Sequence, residues 1–195
     1  MKPAFLLPPL LLCLLSARAA TQFQELPHVA SQPSRVGFSL VPSSASGILF
    51  TNRLSPSQIA VNRLTEDGAG LALADVDGDG RCDIFFVSLS GDSRLFRNLG
   101  GWKFEDITAA AGVGCRGLTG TGATFADVDA DGDPDLFVNA LGGGTRLFRN
   151  QGGGRFVPDP DSGLIPTGGA RSLAFADLDG DGDLDVLVAN QATGI

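Results

Sequence analysis

The chain is poor in the residues on which many enzyme active sites depend. Its 195 residues include no tyrosine, one tryptophan and a single histidine, His28. Two common catalytic residue types are therefore missing or nearly so, and no Ser-His-Asp set can form beyond residue 28. These absences argue against a hydrolase of the triad type.

Basic residues are also scarce, at 14 Lys and Arg against 22 Asp and Glu. Nucleic-acid binding needs a basic stripe, so the composition argues against it. The acidity is local, because three short segments hold 14 of the 22 acidic residues. Glycine is abundant, at 27 residues, which suits a chain with many tight turns.

Long apolar runs are missing except at the start of the chain. Lys2 precedes the run "AFLLPPLLLCLLSA", and the small-residue sequence "ARA" closes at Ala19. This pattern predicts a signal peptide over 1–19 and a protein that is secreted or held in the cell envelope. The run is too short, and Pro8 and Pro9 too disruptive, for a membrane span. A lipoprotein signal at Cys13 is the weaker alternative.

Removal of the signal leaves two cysteines, Cys82 and Cys115. In an oxidising compartment they could pair. They could equally be two small buried side chains, and the sequence alone does not decide between these readings.

A segment of about fifty residues recurs along the chain. Its acidic motif is "ADVDGDGRCD" from Ala74, "ADVDADGDPD" from Ala126 and "ADLDGDGDLD" from Ala176. Periods of this size are typical of propeller blades and solenoids. The boundaries we predict are 66–118 for repeat 1, 119–168 for repeat 2 and 169–195 for an incomplete repeat 3.

Each complete repeat is predicted to form four short strands. In repeat 1 they fall at 71–74, 83–89, 94–98 and 102–108, with Gly and Asn at the junctions. No long 3.6-residue periodicity occurs in the repeats, so helices should be few. The fold class we predict is all-β, with blades of four antiparallel strands as in a β-propeller.

The segment 20–65 is less regular and rich in Ser and Pro. Within it, 48–54 ("ILFTNRL") is a candidate strand of a neighbouring or closing blade.

The acidic loops place oxygen-bearing side chains at positions 1, 3, 5 and 9, counted from the first aspartate, with Gly at position 6. A chain that curls around an ion can direct alternate side chains inward, and glycine permits the turn. Position 7 varies, as expected if only its backbone carbonyl is used. An all-oxygen set without His or Cys suits a hard cation, and calcium accepts such a set more readily than magnesium.

Two other calcium-binding motifs that resemble these loops are excluded. An EF-hand requires Glu at position 12 and a following helix, whereas position 12 is Phe86, Val138 or Val188 in strand-like runs. RTX nonapeptides require a nine-residue glycine period, which is missing. An acidic turn without an ion remains the competing interpretation.

The three loops together with "RLFRNLGGWKFEDITAAAGV" and "RLFRNQGGGRF" resemble the FG-GAP/VCBS-type repeats of the cartilage acidic protein family. The resemblance implies an integrin-α-like propeller of about seven blades, so this chain is expected to be the N-terminal part of a longer protein. About two and a half blades are present, an open arc. Ala130 departs from the family pattern, which has Gly at position 4.

The resemblance also implies about three Ca2+ sites, each formed by four aspartates and the carbonyl of position 7. Their members are Asp75, Asp77, Asp79, Arg81 and Asp83; Asp127, Asp129, Asp131, Asp133 and Asp135; and Asp177, Asp179, Asp181, Asp183 and Asp185.

Repeated arginines in "RLFRN" have two readings. Arg94 and Arg97, like Arg146 and Arg149, could form a rim for an anionic ligand. The favoured reading is packing, with the apolar pair between them buried and the arginines covering the surface.

The function we predict is a non-enzymatic, exported calcium-binding module for adhesion, binding or scaffolding, whose ligand is an extracellular protein or polysaccharide. The alternatives are part of a propeller enzyme acting on extracellular polysaccharide, or a fragment without independent function. Fold alone does not choose among them.

Overall fold

A computed structural model of the chain describes residues 39–56, 59, 69–164 and 168–191. The elements below all lie within one compact unit, Leu40–Ile195. The predicted signal peptide at 1–19, and the segment 20–65 except for 39–56 and 59, lie outside the described residues.

The described residues are almost entirely strands and turns, which confirms the all-β prediction. The helices with both ends among the described residues are α1, Ser43–Ser46, and α2, Thr108–Ala111, and they accompany ten strands. The strands are β1 Leu71–Ala74, β2 Asp83–Phe86, β3 Arg94–Gly100, β4 Lys103–Asp106, β5 Thr119–Ala126, β6 Asp135–Leu141, β7 Gly144–Asn150, β8 Phe156–Asp159, β9 Gly169–Ala176 and β10 Asp185–Gln191.

Each complete repeat forms a four-stranded antiparallel meander, as predicted for a propeller blade. Strands β1 to β4 make the first sheet in chain order. Strands β5 to β8 make the second in the same way. The hairpin of β9 and β10 continues the second sheet through a single backbone pairing, Leu141 with Gly169.

The hydrophobic core lies between the two meanders. Phe85 and Leu95 of the first sheet and Leu136 and Val138 of the second belong to one buried cluster and are fully enclosed. Burial of such side chains contributes about 1.5–3 kcal/mol each. The packing of one meander on the next therefore stabilises the repeat array, as in other repeat folds.

Backbone hydrogen bonds also join β5 of the second meander to the first meander, just before β1 and just after β2. Gly70 N donates to Thr121 O at 3.1 Å, and Gly120 N donates to Ser88 O at 2.9 Å. Glycine at position 120 permits this approach, because a Cβ there would lie 2.4 Å from a methyl carbon of Val87.

The predicted strand 83–89 is too long. Strand β2 ends at Phe86. Val87 N still donates to Gly70 O, in line with the pairing of Leu71 and Phe86, but Ser88 N donates to the hydroxyl of Ser93 and so leaves the backbone ladder. The residues nevertheless remain buried.

The predicted strand 102–108 is wrong at both ends. Trp102 occupies a turn with φ of 63° and is exposed, so it does not belong to the core. Strand β4 begins at Lys103 and ends at Asp106. Asp106 then accepts a hydrogen bond from Thr108 N at 3.0 Å, an Asx-type contact that redirects the chain into α2.

The candidate strand at 48–54 is not a strand. The side chain of Asn52 supplies the pairing instead: its Nδ2 donates to Val87 O at 3.1 Å, and Leu89 N donates to its Oδ1 at 3.0 Å. Phe50 stacks on Phe86 with ring centroids 5.0 Å apart. One amide and one ring thus hold this segment against the first sheet without a backbone ladder.

Candidate metal centre

The three acidic loops join strands in identical register. Ala74 pairs with Asp83, Ala126 with Asp135 and Ala176 with Asp185, so each loop begins and ends at the same backbone pair. The aspartate at position 9 is in every case the first residue of the second strand. The strands therefore fix both ends of the loop.

The first aspartate of each loop holds the turn closed. Asp75, Asp127 and Asp177 each accept a hydrogen bond through Oδ2 from the glycine N–H at position 6, at 2.7, 3.0 and 3.1 Å. Those glycines have φ between 82° and 97°. Such a conformation is inexpensive only for glycine, which explains why the sequence has Gly at position 6 in all three loops.

The aspartate at position 5 has a second repeated role. In each loop its Oδ1 accepts a hydrogen bond of 2.9 Å from the N–H of position 7. These contacts are Asx turns. The loop side chains thus hold the loop backbone in shape. One carboxylate oxygen at position 1 and one at position 5 accept these backbone hydrogen bonds.

Three carboxylates converge in each loop. Within every group, one oxygen from each side chain lies within 4.8 Å of the others. Calcium binds oxygen at about 2.3–2.6 Å, so oxygens at these separations can share one ion. The groups are Asp75, Asp77 and Asp83; Asp127, Asp129 and Asp131; and Asp177, Asp179 and Asp185.

One oxygen in the second group lacks any other partner. Asp127 Oδ1 is buried from solvent and accepts no hydrogen bond within the described part of the chain. An uncompensated buried carboxylate oxygen is unfavourable. A cation bound among Asp127, Asp129 and Asp131 would compensate it, so the residues present fit a hard, oxygen-preferring ion such as calcium.

The aspartates at position 9 have a structural role that the sequence did not indicate. Asp83 is fully buried; its Oδ2 accepts from Val76 N at 3.0 Å and its Oδ1 from Asn98 N at 2.7 Å. Asp135 accepts from Asn150 N at 2.8 Å in the equivalent way. These carboxylates join the loop to the third strand of the same blade.

Burial raises the pKa of Asp83, and the backbone donors of Asn98 and Val76 oppose that increase only in part. The nearby charges of Asp77 and Asp79 raise the pKa further. Burial is likewise the largest cause of the raised pKa of Asp135. The loops therefore carry unfavourable negative charge that a cation would relieve.

The Asn that ends each copy of "RLFRN" contacts the acidic loops, which the sequence analysis did not predict. Asn98 Nδ2 donates to Cys82 O at 2.9 Å, and Asn150 Nδ2 donates to Pro134 O at 3.3 Å and to Val76 O at 3.0 Å. The last of these bonds joins the second blade to the first loop. The only sequence signal was that both Asn residues occupy the same place in the repeat.

The arginines of the same motif fit neither earlier reading completely. The apolar pair Leu95 and Phe96 is buried, as the packing interpretation predicted. However, Arg97 Nη1 lies 3.5 Å from Asp77 Oδ2, and Arg149 Nη1 lies 3.3 Å from Asp129 Oδ2. The second arginine of each motif therefore faces the acidic loop of its own blade.

Several predicted ligands lie outside the converging groups. Asp79 pairs with Arg81, Asp135 with Arg149, and Asp181 accepts the N–H of Asp183. No contact tests the predicted role of the position-7 carbonyls, which belong to Arg81, Asp133 and Asp183. These assignments stay predictions.

Ala130 supplies a test of loop strain. It has φ of 59° at position 4, where the other loops have Gly78 and Gly180 at 74° and 80°. We expect Ala130→Gly to raise the free energy of unfolding by about 0.5–1 kcal/mol, because glycine tolerates positive φ. Urea unfolding in EDTA measures the change.

The reverse substitutions Gly78→Ala and Gly180→Ala are the matched controls for this effect. A Cβ at either glycine meets nothing within 4 Å, so any loss reflects backbone conformation alone. A destabilising Ala130→Gly would contradict the strain interpretation.

The two cysteines are both free. Cys82 is exposed, whereas burial raises the pKa of the Cys115 thiol to about 12. Neither alternative holds completely: the two cysteines are unpaired, but the reading as two buried side chains is wrong for the exposed Cys82.

Repeated four-stranded meanders with an acidic loop between the first two strands define a propeller-type repeat protein. The chain belongs to the FG-GAP-like repeat family, whose model matches residues 75–138 and 127–188, together more than half of the chain. Repeats of this kind are typical of extracellular, adhesion-type propeller modules. This finding confirms the resemblance described from the sequence.

Among curated proteins, the chain is similar to cartilage acidic protein 1 of Mus musculus and of Homo sapiens. Each is 32% identical over 81 residues, which is 42% of this chain. The chain spans only 12% of the length of each relative. Within the described residues, no helix has the length and apolarity needed to cross a membrane.

Proposed function

We propose that this chain is an exported, calcium-stabilised propeller module that binds an extracellular protein or polysaccharide and performs no catalysis. The observation that supports it best is that three carboxylates converge in each of three loops that have identical register. When bound, the ion cancels carboxylate repulsion and links the two ends of the loop.

Different loop residues shape different parts of the site. The glycines at position 6 and the carboxylates at positions 1 and 5 close the turn. The position-9 aspartates connect the turn to the third strand. Binding therefore needs little reorganisation of the backbone, and calcium is expected to stabilise the hairpins that form the blades.

Four carboxylates outside the loops form ion pairs with arginine, which supports a non-enzymatic role. Acid–base catalysis needs carboxyl groups free to exchange protons with a substrate. Asp92 and Asp106 pair with Arg94, Glu105 pairs with Arg97, and Asp159 pairs with Arg149. Export is proposed from the signal-like sequence at 1–19 and from the typical setting of these repeats.

Calcium titration tests the proposal directly. We expect a chain beginning at Ala20 to bind about three Ca2+ ions with dissociation constants on the order of 10⁻⁴–10⁻³ M, in the range of extracellular modules. Its melting temperature should rise in calcium relative to EDTA, because a ligand of the native state stabilises that state. Calorimetry and thermal melts measure both quantities.

Asp127→Asn should reduce the stoichiometry by about one ion and leave the other two. Magnesium at the same concentration should stabilise less than calcium. No heat from calcium, or a preference for zinc, would contradict the proposal. Turnover of a polysaccharide that is abolished by changing a carboxylate outside the loops would instead establish an enzyme.

A further inference from the structure

The positively charged side chain of Arg149 lies among the carboxylates of the second acidic loop. The guanidinium of Arg149 donates from Nη1 to Asp129 Oδ2 at 3.3 Å and to Asp135 Oδ2 at 3.1 Å, and from Nε to Asp159 Oδ2 at 3.1 Å. Asp135 is almost completely buried, at 1% exposure. One guanidinium thus joins two loop positions to the last strand of the blade.

This loop also differs from the others in which carboxylates converge. In the first and third loops the group includes the position-9 residues Asp83 and Asp185. In the second loop Asp131 takes that place, and Asp135 is outside the group. The side chain that contacts Asp135 Oδ2 is Arg149, so the guanidinium accounts for the difference.

Two cations near the same carboxylates repel one another. Arginine remains charged at every physiological pH, and a partly enclosed site screens charges less than bulk solvent. A divalent ion coordinated by Asp129 and Asp135 would compete with Arg149 for the same oxygens. The guanidinium contacts also hold the buried Asp135 carboxylate in place when no metal is present.

We propose that Arg149 is an internal counter-ion of the second loop, which stabilises the metal-free loop and lowers its affinity for calcium. Calcium must displace the guanidinium from Asp135 and Asp129 to obtain full coordination there. The inference rests on the proposed function, because it concerns the affinity of the same loop. Arg149 is thereby an affinity-determining residue rather than a rim residue for an anionic ligand.

The equivalent arginine of the first blade makes weaker contacts. Arg97 Nη1 is 3.5 Å from Asp77 Oδ2 and Nη2 is 3.8 Å from Glu105 Oε2, and the buried Nε has no hydrogen-bond acceptor among the described residues. Asp83, unlike Asp135, stays within its group. The same competition in the first loop should therefore be smaller.

The test is Arg149→Gln in the chain beginning at Ala20. In EDTA we expect its melting temperature to be a few degrees lower than that of the parent chain, because Asp135 loses its charged partner. Calcium affinity at one site should rise by roughly three- to tenfold. The increase in melting temperature caused by calcium should therefore be larger in the variant than in the parent.

Arg146→Gln is the matched control. It removes the same charge from the same strand, but residues three apart in a strand lie on opposite faces, and Arg146 is exposed. Its calcium response should equal that of the parent chain. Arg97→Gln should show the same direction as Arg149→Gln with a smaller gain.

Adding Asp127→Asn to Arg149→Gln should abolish the gain in affinity, which assigns it to the second loop. A calcium response in Arg149→Gln equal to or smaller than that of the parent would overturn the inference, because the guanidinium would then be neutral toward the ion or would position its ligands. Absence of any calcium response in the parent and in every variant would instead refute the proposed function.

Discussion

Replacing Asp83 by Ala is expected to destabilise the chain by about 3 kcal/mol or more, even in the absence of calcium. Both of its carboxylate oxygens accept backbone hydrogen bonds, from Val76 and from Asn98, and the side chain is fully buried. Alanine would leave two N–H groups without their acceptor, at about 1–3 kcal/mol each. Removal of a buried, partly repelled charge offsets only some of this loss.

Urea unfolding in EDTA measures this change, with Asp79→Ala as the matched control. Asp79 pairs with Arg81, whose side chain is 45% exposed, and such pairs contribute little to stability. Asp79→Ala also removes the acceptor of the Arg81 N–H, but that bond is exposed, so water can replace it. The variant should weaken calcium binding and destabilise the metal-free protein much less than Asp83→Ala. Equal losses for the two variants in EDTA would show that Asp83 is not a structural aspartate.

Gly120→Ala is expected to lower the free energy of unfolding by about 2–3 kcal/mol. An added Cβ would lie 2.4 Å from Val87 Cγ1 and 3.1 Å from Ser88 O. Val87 is 1% exposed and cannot move into solvent, so the methyl group overpacks the junction of the two meanders. The hydrogen bond from Gly120 N to Ser88 O would lengthen as well.

Gly122→Ala is a control on the same strand, because its Cβ would have Arg171 O at 3.8 Å as its nearest contact. It should change stability by less than about 1 kcal/mol. In a Val87→Ala background, Gly120→Ala should cost much less than in the parent chain, since the opposing methyl is gone. Additive losses in that double variant would show that the clash with Val87 is not the cause.

The sequence predicted most of the blade because each of its signals is local. Strand β1 matches the predicted 71–74, and every acidic loop ends where its second strand begins. Alternating carboxylates and glycines specify the turn through hydrogen bonds that span only a few residues. The error at 102–108 arose where Trp102 adopted a positive φ that its residue type does not suggest.

The sequence could not show which aspartates act as ligands and which as structural acceptors. All four positions carry the same side chain, and their roles differ through partners that are distant in the chain. Asp83 meets Asn98 across 15 residues, and Arg149 reaches Asp129 across 20. Only the pairing of the third strand with the second brings these groups together.

The sequence by itself thus determined the all-β repeat, the position of the three acidic loops and their suitability for a hard cation, because these depend on residue type and spacing. The tertiary structure decided which aspartates of each loop converge as candidate ligands and which accept structural hydrogen bonds. It buried Asp83 and Asp135 against the third strand, joined Asn150 to Val76 of the preceding blade and placed Arg149 in the second loop. The contacts of Asp83, Asp135 and Arg149 depend on how the third strand pairs within a blade, and the contact of Asn150 with Val76 depends on how blades pack. Residue type and spacing specify neither, because every blade carries nearly the same motif.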